Sequence, residues 1–404
     1  MRLLFIAPFP YGPSASHGGA VVAHAQIELL ASKHEIGVVC FRVAGVDEIA
    51  AEYLRKHVSF YQEAPLRVRR WKTLLARCRS VVTAMPLDAL LHRNNEMKKA
   101  IHMATKRFRP DLVIIQFPQM AQYVEEIDAI PCVMDVEDAF SVSSFRTFVS
   151  QVGFIRKLER FLNWLFWIRY ERKYYPRFDM VFTLTEQDLN GLQIFSSGLA
   201  GVSVGVPVNM MPRQENIVRN PLQIAFIGSF GHFPNVQGVR FFIEQVLPII
   251  QLRVPGVQFL VAGKAPPQAL ENFASDQVRF IGFVPDLATF LAESGVVVIP
   301  LLSGGGIKIK TLEALAAGAP VVSTSIGVEG TGALNEQHLL VRDQASAFAE
   351  AVVALLADPQ RAARLGAAGQ ALMRQRYSPE AWGKQVNEVL LTVANKKNHL
   401  GISE

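Results

Sequence analysis

From Leu3 to Ala7 every residue is apolar, and Pro8 and Pro10 close the run. A short unbroken apolar segment bounded by turn residues is the pattern of a strand buried on both faces, as in a parallel sheet. A Pro/Gly/Ser-rich loop over residues 9–19 follows, then a helix-like stretch over 20–32 and a second apolar strand over 35–41. This succession opens a doubly wound α/β sheet. Residues 112–116, 132–136 and 180–185 read as later strands of the same sheet, each ending in or near polar residues.

Over residues 205–220 the pattern stops, in a stretch carrying Pro207, Pro212 and three Asn. A new cycle of strands begins at 223–228 and continues at 257–262, 278–281, 296–300, 320–323 and 338–341, with helical segments between. The expected organisation is a first Rossmann-like domain over 1–205, a linker over 206–221, a second over 222–378, and a closing segment, 379–404, whose helix is long enough to run back to the first domain. No internal repeat or low-complexity segment is present. Two such domains are expected to face a central cleft at the carboxyl ends of their sheets, where nucleotides or phosphorylated ligands bind.

The composition fits that picture. A chain of 404 residues, half of them hydrophobic, is neither a stapled module nor a disordered tail. Three widely spaced cysteines form no CxxC, which argues against a disulfide framework or a zinc site and for a reducing, cytoplasmic setting. The early prolines make the first apolar run a strand rather than a secretory leader. No stretch reaches the ~18 uninterrupted apolar residues of a membrane span. The net charge of +6 is unevenly placed: residues 65–109 hold twelve Lys/Arg against two acids, whereas 222–385 hold twelve of each. The first half is therefore the one suited to an anionic surface.

Two segments carry candidate chemistry. In the first loop, His17-Gly18-Gly19-Ala20 precedes a helix. The paired glycines either let a phosphate approach the helix N-terminus or simply make a tight turn. A dinucleotide fingerprint is absent, and the second strand ends Val39-Cys40-Phe41-Arg42 without a ribose-binding acid, which argues against NAD. The second segment follows a buried strand and reads Ser303-Gly304-Gly305-Gly306-Ile307-Lys308-Ile309-Lys310-Thr311-Leu312-Glu313, closing at Gly318 before another strand. Glycines at a helix N-terminus make an anion nest, Lys308 and Lys310 supply positive charge, and the Glu313 carboxylate can accept two hydrogen bonds from a ribose diol. Together they describe a nucleoside diphosphate site.

This segment resembles the nucleotide-sugar motif of family 4-type retaining glycosyltransferases of the GT-B fold. Ile227-Gly228-Ser229-Phe230, Phe233-Pro234-Asn235, Val261-Ala262-Gly263-Lys264 and Phe280-Ile281-Gly282-Phe283-Val284-Pro285-Asp286 come in a similar order and spacing. The likeness covers the C-terminal half; in the N-terminal half it rests on Gly18-Gly19 and the strand order. The subgroup with G-G-G-x-x-x-K-x-L-E is most similar, and some of its members serve exopolysaccharide assembly. The resemblance implies that Glu313 binds the ribose, that the backbone at Phe283 and Val284 cups the base, and that Gly228, Gly305 and Gly306 border the donor. Gly305 stands where the motif has an acid. The Arg and Lys that often hold the diphosphate are absent from 228–238, leaving Lys264, Lys308 and Lys310.

The implied reaction is departure of a nucleoside diphosphate from an anomeric carbon, with charge building on the leaving phosphate. Lys310 is the expected catalytic cation, no cofactor is needed, and no paired-Asp metal site is evident. Asp135, Glu137 and Asp138, at the end of a first-domain strand, either take the acceptor's proton or cap the helix beginning near Ser141. Aromatics mix with basic residues over 67–79 and 154–177, the second stretch being either a headgroup-level membrane contact or an internal helix with a solvated basic face. No nucleic-acid-binding motif is present. The expected partners are a nucleotide-sugar donor, a saccharide or lipid-linked acceptor, and an anionic membrane met from the cytoplasmic side. Alternatives are a nucleotide-sugar epimerase on the same scaffold and a non-catalytic protein that kept the donor pocket.

Overall fold

The computed structural model describes residues 1–12, 18–42, 48–66, 70–127, 129–151, 153–210 and 218–400, apart from the side chains of 70–75, 150 and 396–400. The chain forms two compact units. One is Met1–Pro207 together with the chain from Trp382 onward, and the other is Val208–Ala381.

The first unit is built on seven parallel strands, β1 (Arg2–Ala7), β2 (Glu35–Arg42), β3 (Phe60–Pro65), β4 (Leu112–Gln116), β5 (Cys132–Val136), β6 (Met180–Thr183) and β7 (Gly201–Ser203), in the order β3-β2-β1-β4-β5-β6-β7. β1 is flanked on both sides, with Leu3 paired to Ile36 and to Leu112. The chain order reverses there, which makes the carboxyl ends of β1 and β4 a switch point. Alternate residues feed two cores: Leu4, Ile6, Val39, Val113 and Met134 on one face, Leu3, Phe5, Val38, Ile114 and Val133 on the other. That two-sided burial is why these strands read as continuous apolar runs.

Helix α1 (Gly18–Ala31) covers the second of these faces through Ala20, Ala23, Ile27 and Leu30. A hairpin of α2 (Phe140–Ser150) and α3 (Phe154–Tyr174) lies on the first, reaching its core with Trp167, Tyr170 and Tyr174. β3 and β7 were not expected from the sequence; both are edge strands, short and only partly buried.

The second unit holds six parallel strands, β8 (Asn220–Ile227), β9 (Gln258–Ala262), β10 (Val278–Gly282), β11 (Ser294–Ile299), β12 (Val321–Ser323) and β13 (Leu340–Val341), in the order β10-β9-β8-β11-β12-β13. Phe226, Phe242, Phe259 and Phe348 fill its core. Helix α4 (Phe233–Phe241) follows β8, and α5 (Ile309–Ala316) follows β11, so both start at the switch point between these two strands. The closing helix, α6 (Pro379–Leu400), sets Trp382, Val386, Leu390 and Val393 into the first unit's core beside α1, at the spacing of one helical face. Among the described residues no helix is long and apolar enough to cross a membrane.

Candidate active site

In the second unit the strand ends converge because glycines permit close backbone approach. The Gly228 N–H donates to the Ala262 carbonyl (3.0 Å) and the Gly263 N–H to the Gly282 carbonyl (2.8 Å). A Cβ on Gly263 would stand 2.0 Å from the Gly228 carbonyl oxygen, so this position admits no side chain. A Cβ on Gly238 would stand 2.8 Å from the Pro300 oxygen, which shows how tightly α4 is drawn onto the exit of β11. Gly304 and Gly306 take φ of 122° and 65° and turn the loop into α5, where glycine is favoured. The Ser303 hydroxyl donates to Gln237 of α4 (2.8 Å), and the Thr311 hydroxyl to the Gly327 carbonyl (2.6 Å), fixing loop and helix.

The two lysines of the motif behave differently. Lys308 is buried: its ammonium donates to the carbonyls of Gly305 (3.1 Å) and Gly306 (2.7 Å) and lies 3.6 Å from the Glu329 carboxylate. Expected from the sequence as one of the cations at the diphosphate, it ties the loop together from inside. Lys310, in the first turn of α5, reaches the switch point. Its ammonium donates to the side-chain oxygen of Asn235 and lies 4.9 Å from the centre of the Phe226 ring. Asn235 is itself buried and donates to the Ser229 carbonyl (2.6 Å). A side chain at Gly228 would press on both, with its Cβ 2.9 Å from the Asn235 amide nitrogen and 3.0 Å from the Lys310 ammonium.

Glu313 stands one turn along α5 from Lys310, on the same face. Burial pulls Lys310 down to about 7, assisted by the charge of Lys308 and opposed by Glu313. Burial likewise pushes Glu313 up to about 7, against the pull of Lys310. Both shifts have one meaning: this face of α5 is poorly hydrated, and each charge lacks strong compensation. Lys264 and Phe283 lie at the ends of the neighbouring strands, the ammonium 4.9 Å from the exposed ring's centre. Val284 is half-buried next to them, and Gly305 is exposed.

The first unit holds a second polar cluster. Gly18 and Gly19 form the first turn of α1, while His17 and the loop residues 13–16 lie outside the described residues. Gln116, at the end of β4, is the hub. It accepts a hydrogen bond from the Tyr11 hydroxyl, and its amide donates to Gln26 of α1 (3.0 Å) and to Asp135 Oδ2 (3.0 Å). Asp135 is 2% exposed and its Oδ1 has no partner; Glu137 Oε1 is equally buried and unpartnered. Burial pushes Asp135 up to about 6, and burial together with the Asp135 charge pushes Glu137 up.

Asp135 and Glu137 do not cap the next helix. α2 starts after Ala139, without a side-chain cap, and the Ser141 N–H instead donates to Glu171 of α3 (3.0 Å). Glu171 is buried and pushed up to about 8, by desolvation first, with a smaller contribution from Asp138. Sequence reasoning missed Gln26, Gln116, Glu171 and, as a partner of Lys310, Asn235. The last carried a legible signal, an Asn three residues into a helix that follows directly on a strand–glycine turn.

Among the described residues no group of three or more His, Cys, Asp or Glu side chains is placed to hold a metal ion. Residues 67–69 and the side chains of 70–75 lie outside the described part; from Arg70 the first basic stretch is helical, with Arg77 and Arg79 exposed. The second stretch divides: Trp167, Tyr170 and Tyr174 are core residues, whereas residues 153–160 are exposed on every side.

Residues 221–358 match the family described as glycosyl transferases group 1. An uncharacterised 44.6 kDa protein in the cps region of Klebsiella pneumoniae is 21% identical over 369 residues, 86% of this chain and 88% of that protein. The phosphatidyl-myo-inositol mannosyltransferase of Mycobacterium leprae is 30% identical over 221 residues, 52% of this chain and 58% of that protein. Among solved structures, the sucrose-phosphate synthase of Thermosynechococcus elongatus superposes with a TM-score of 0.69 at 16% identity, over 97% of this chain and 99% of that one. HepE of Anabaena, in complex with UDP, superposes with a TM-score of 0.63 at 14% identity, over 97% and 100%. At these identities the structural likeness establishes the fold, which is GT-B.

Proposed function

We propose that this chain, a glycosyltransferase of the GT-B fold, takes a sugar with retention from a nucleoside diphosphate donor held by its second unit to a saccharide or lipid-linked acceptor held by its first. The observation that carries this reading is the placement of Lys310 and Glu313, both half-buried, one turn apart on one face of α5, with the Lys310 ammonium at the β8–β11 switch point beside Gly228. A carboxylate there suits a ribose diol, and an under-hydrated ammonium suits a diphosphate. As the bond to the anomeric carbon breaks, negative charge grows on the leaving phosphate. Lys310 and the backbone N–H groups of the glycine loop stabilise that charge more than the ground state. This assigns the leaving-group work to the protein without a metal.

Gly305 and Gly306 form the wall nearest the donor sugar, and Lys264, Phe283 and Val284 border the base. One of the carboxyls at and just past the end of β5, the buried Asp135 and Glu137 or the half-buried Asp138, receives the acceptor's proton. Polysaccharide assembly at the cytoplasmic side of a membrane is the setting that suits such an acceptor. A thermal-shift screen against UDP-, GDP-, ADP- and dTDP-sugars tests the reading: at least one raises Tm, and that rise is lost in Glu313→Ala. No response to any of the four contradicts it.

A further inference from the structure

The aromatic-basic stretch 154–177 has two fates within one helix. From Trp167 on, α3 is anchored in the core of the first unit, but its first two turns stand free. Phe154 is 84% exposed and Ile155 82%, with Leu158 half in water one turn on. From the facing end of α2, Phe145 and Val149 are exposed as well. A folded chain rarely leaves so many large apolar side chains in water at one place without a use for them.

The tip is stiff. Phe145, Phe148, Phe161 and Trp164 form a ladder between the two helices: Phe145 and Trp164 are 5.0 Å apart by ring centres, Phe148 and Phe161 are 5.4 Å apart, and the Phe148 and Trp164 rings are parallel within 3°. The ladder joins the two helices next to the apolar end. Arg156, Lys157 and Arg160 share these two turns with a single acid, Glu159, and none of the three cations forms an ion pair among the described residues. Lys157 instead leans over the Phe148 ring, 5.7 Å from its centre.

We propose that this α2–α3 tip docks the enzyme on an anionic bilayer, with Phe154, Ile155 and Leu158 entering the headgroup–acyl boundary and Arg156, Lys157 and Arg160 pairing with lipid phosphates. Apolar side chains surrounded by cations fit that surface, because burial of the first and attraction of the second act at the same depth. A second copy of this chain would bring the same three cations against themselves and is disfavoured by like charge. The inference concerns where the enzyme sits and does not depend on the donor or acceptor assigned above.

The test uses the full chain and vesicles of phosphatidylglycerol with phosphatidylcholine, compared with phosphatidylcholine alone, at low salt. The wild type is expected to bind the anionic vesicles and to be released by salt. Phe154→Ser with Ile155→Ser, and separately Arg156→Gln, Lys157→Gln and Arg160→Gln together, should each weaken binding at least tenfold. Melting temperature and the shifts given by UDP and GDP, read on the same preparations, should match the wild type, since these side chains support no core. Absence of binding to anionic vesicles overturns the proposal. So does binding that both variants retain, or self-association that the Phe154/Ile155 variant abolishes without any vesicle binding. Failure of both nucleotides to shift the wild type counts against the transfer reading and leaves the vesicle result standing.

Discussion

The ammonium of Lys310 lies 4.9 Å from the centre of the Phe226 ring, where the first helical turn after β11 meets the last residues of β8. A cation held by an aromatic face and one amide oxygen is positioned but poorly solvated, and such a contact contributes about 0.5–2 kcal/mol. A diphosphate would satisfy it far better. The two glycine-bordered strand ends thus frame a cation with few partners, which is why the donor is assigned to this point.

Proton uptake should accompany nucleotide binding. Lys310 is pulled down to about 7, so near neutral pH a substantial fraction is uncharged, and an arriving diphosphate raises its affinity for a proton. Calorimetric titration of UDP or GDP at pH 8 in two buffers of different ionisation enthalpy should show net uptake. An observed enthalpy independent of buffer contradicts this.

Gly228→Ala should separate binding from stability. The added methyl presses on the flexible end of Lys310 and on the buried Asn235 amide, so the ammonium is displaced at less cost to the fold than a clash with backbone. Nucleotide affinity is expected to fall about tenfold or more, because a charged hydrogen bond is worth roughly 1.5–3 kcal/mol. Gly263→Ala, by contrast, drives a Cβ into the Gly228 carbonyl and should lower Tm as well. Equal melting curves and equal affinities for both variants and the wild type would refute the account of the strand ends.

Glu171 should leave a pH signature. Its carboxyl is pushed up to about 8 from an ordinary value near 4.5, so between these values the folded state binds more protons than the unfolded chain. Its contribution is therefore fully present below about 4.5 and is lost as pH rises through about 8. Glu171→Gln retains an acceptor for the Ser141 N–H and should flatten this part of the denaturation profile. Glu171→Ala leaves that N–H unsatisfied and should cost about 1–3 kcal/mol. Parallel pH profiles for wild type and Glu171→Gln would show the reading to be wrong.

Asp135→Asn should act on transfer rather than on nucleotide binding. With Asp135 pushed up to about 6, the wild-type rate should rise through that pH as the carboxyl ionises. The variant should lose that limb and fall about 10²-fold or more, the usual range for a positioned base. A chelator should leave the wild-type rate unchanged. An unaltered pH–rate profile in Asp135→Asn would remove this group from the chemistry.

Much of the fold is legible in the chain because central parallel strands are buried twice over, and Leu3–Ala7 or Val296–Ile299 can hardly be read otherwise. The edges are not: β3 contains Gln62 and Glu63 and ends in Pro65, and β7 is three residues long. At the site, the glycine loop and Glu313 could be found from spacing, but Lys308 and Lys310 look alike two residues apart. Only the turn at Gly304–Gly306 determines that one faces its own loop and the other the switch point. Gln116 escaped notice for a related reason. Its partners Gln26 and Asp135 are 90 and 19 residues away, and an amide in an apolar run carries no local mark of its hydrogen bonds.

The most direct test is a calorimetric titration of UDP and GDP into the wild type, Lys310→Ala and Glu313→Ala, with melting curves showing that all three are folded. At least one nucleotide should bind the wild type and be weakened about 10- to 100-fold by either substitution, in line with loss of a charged hydrogen bond. Undiminished binding in both variants would contradict the account.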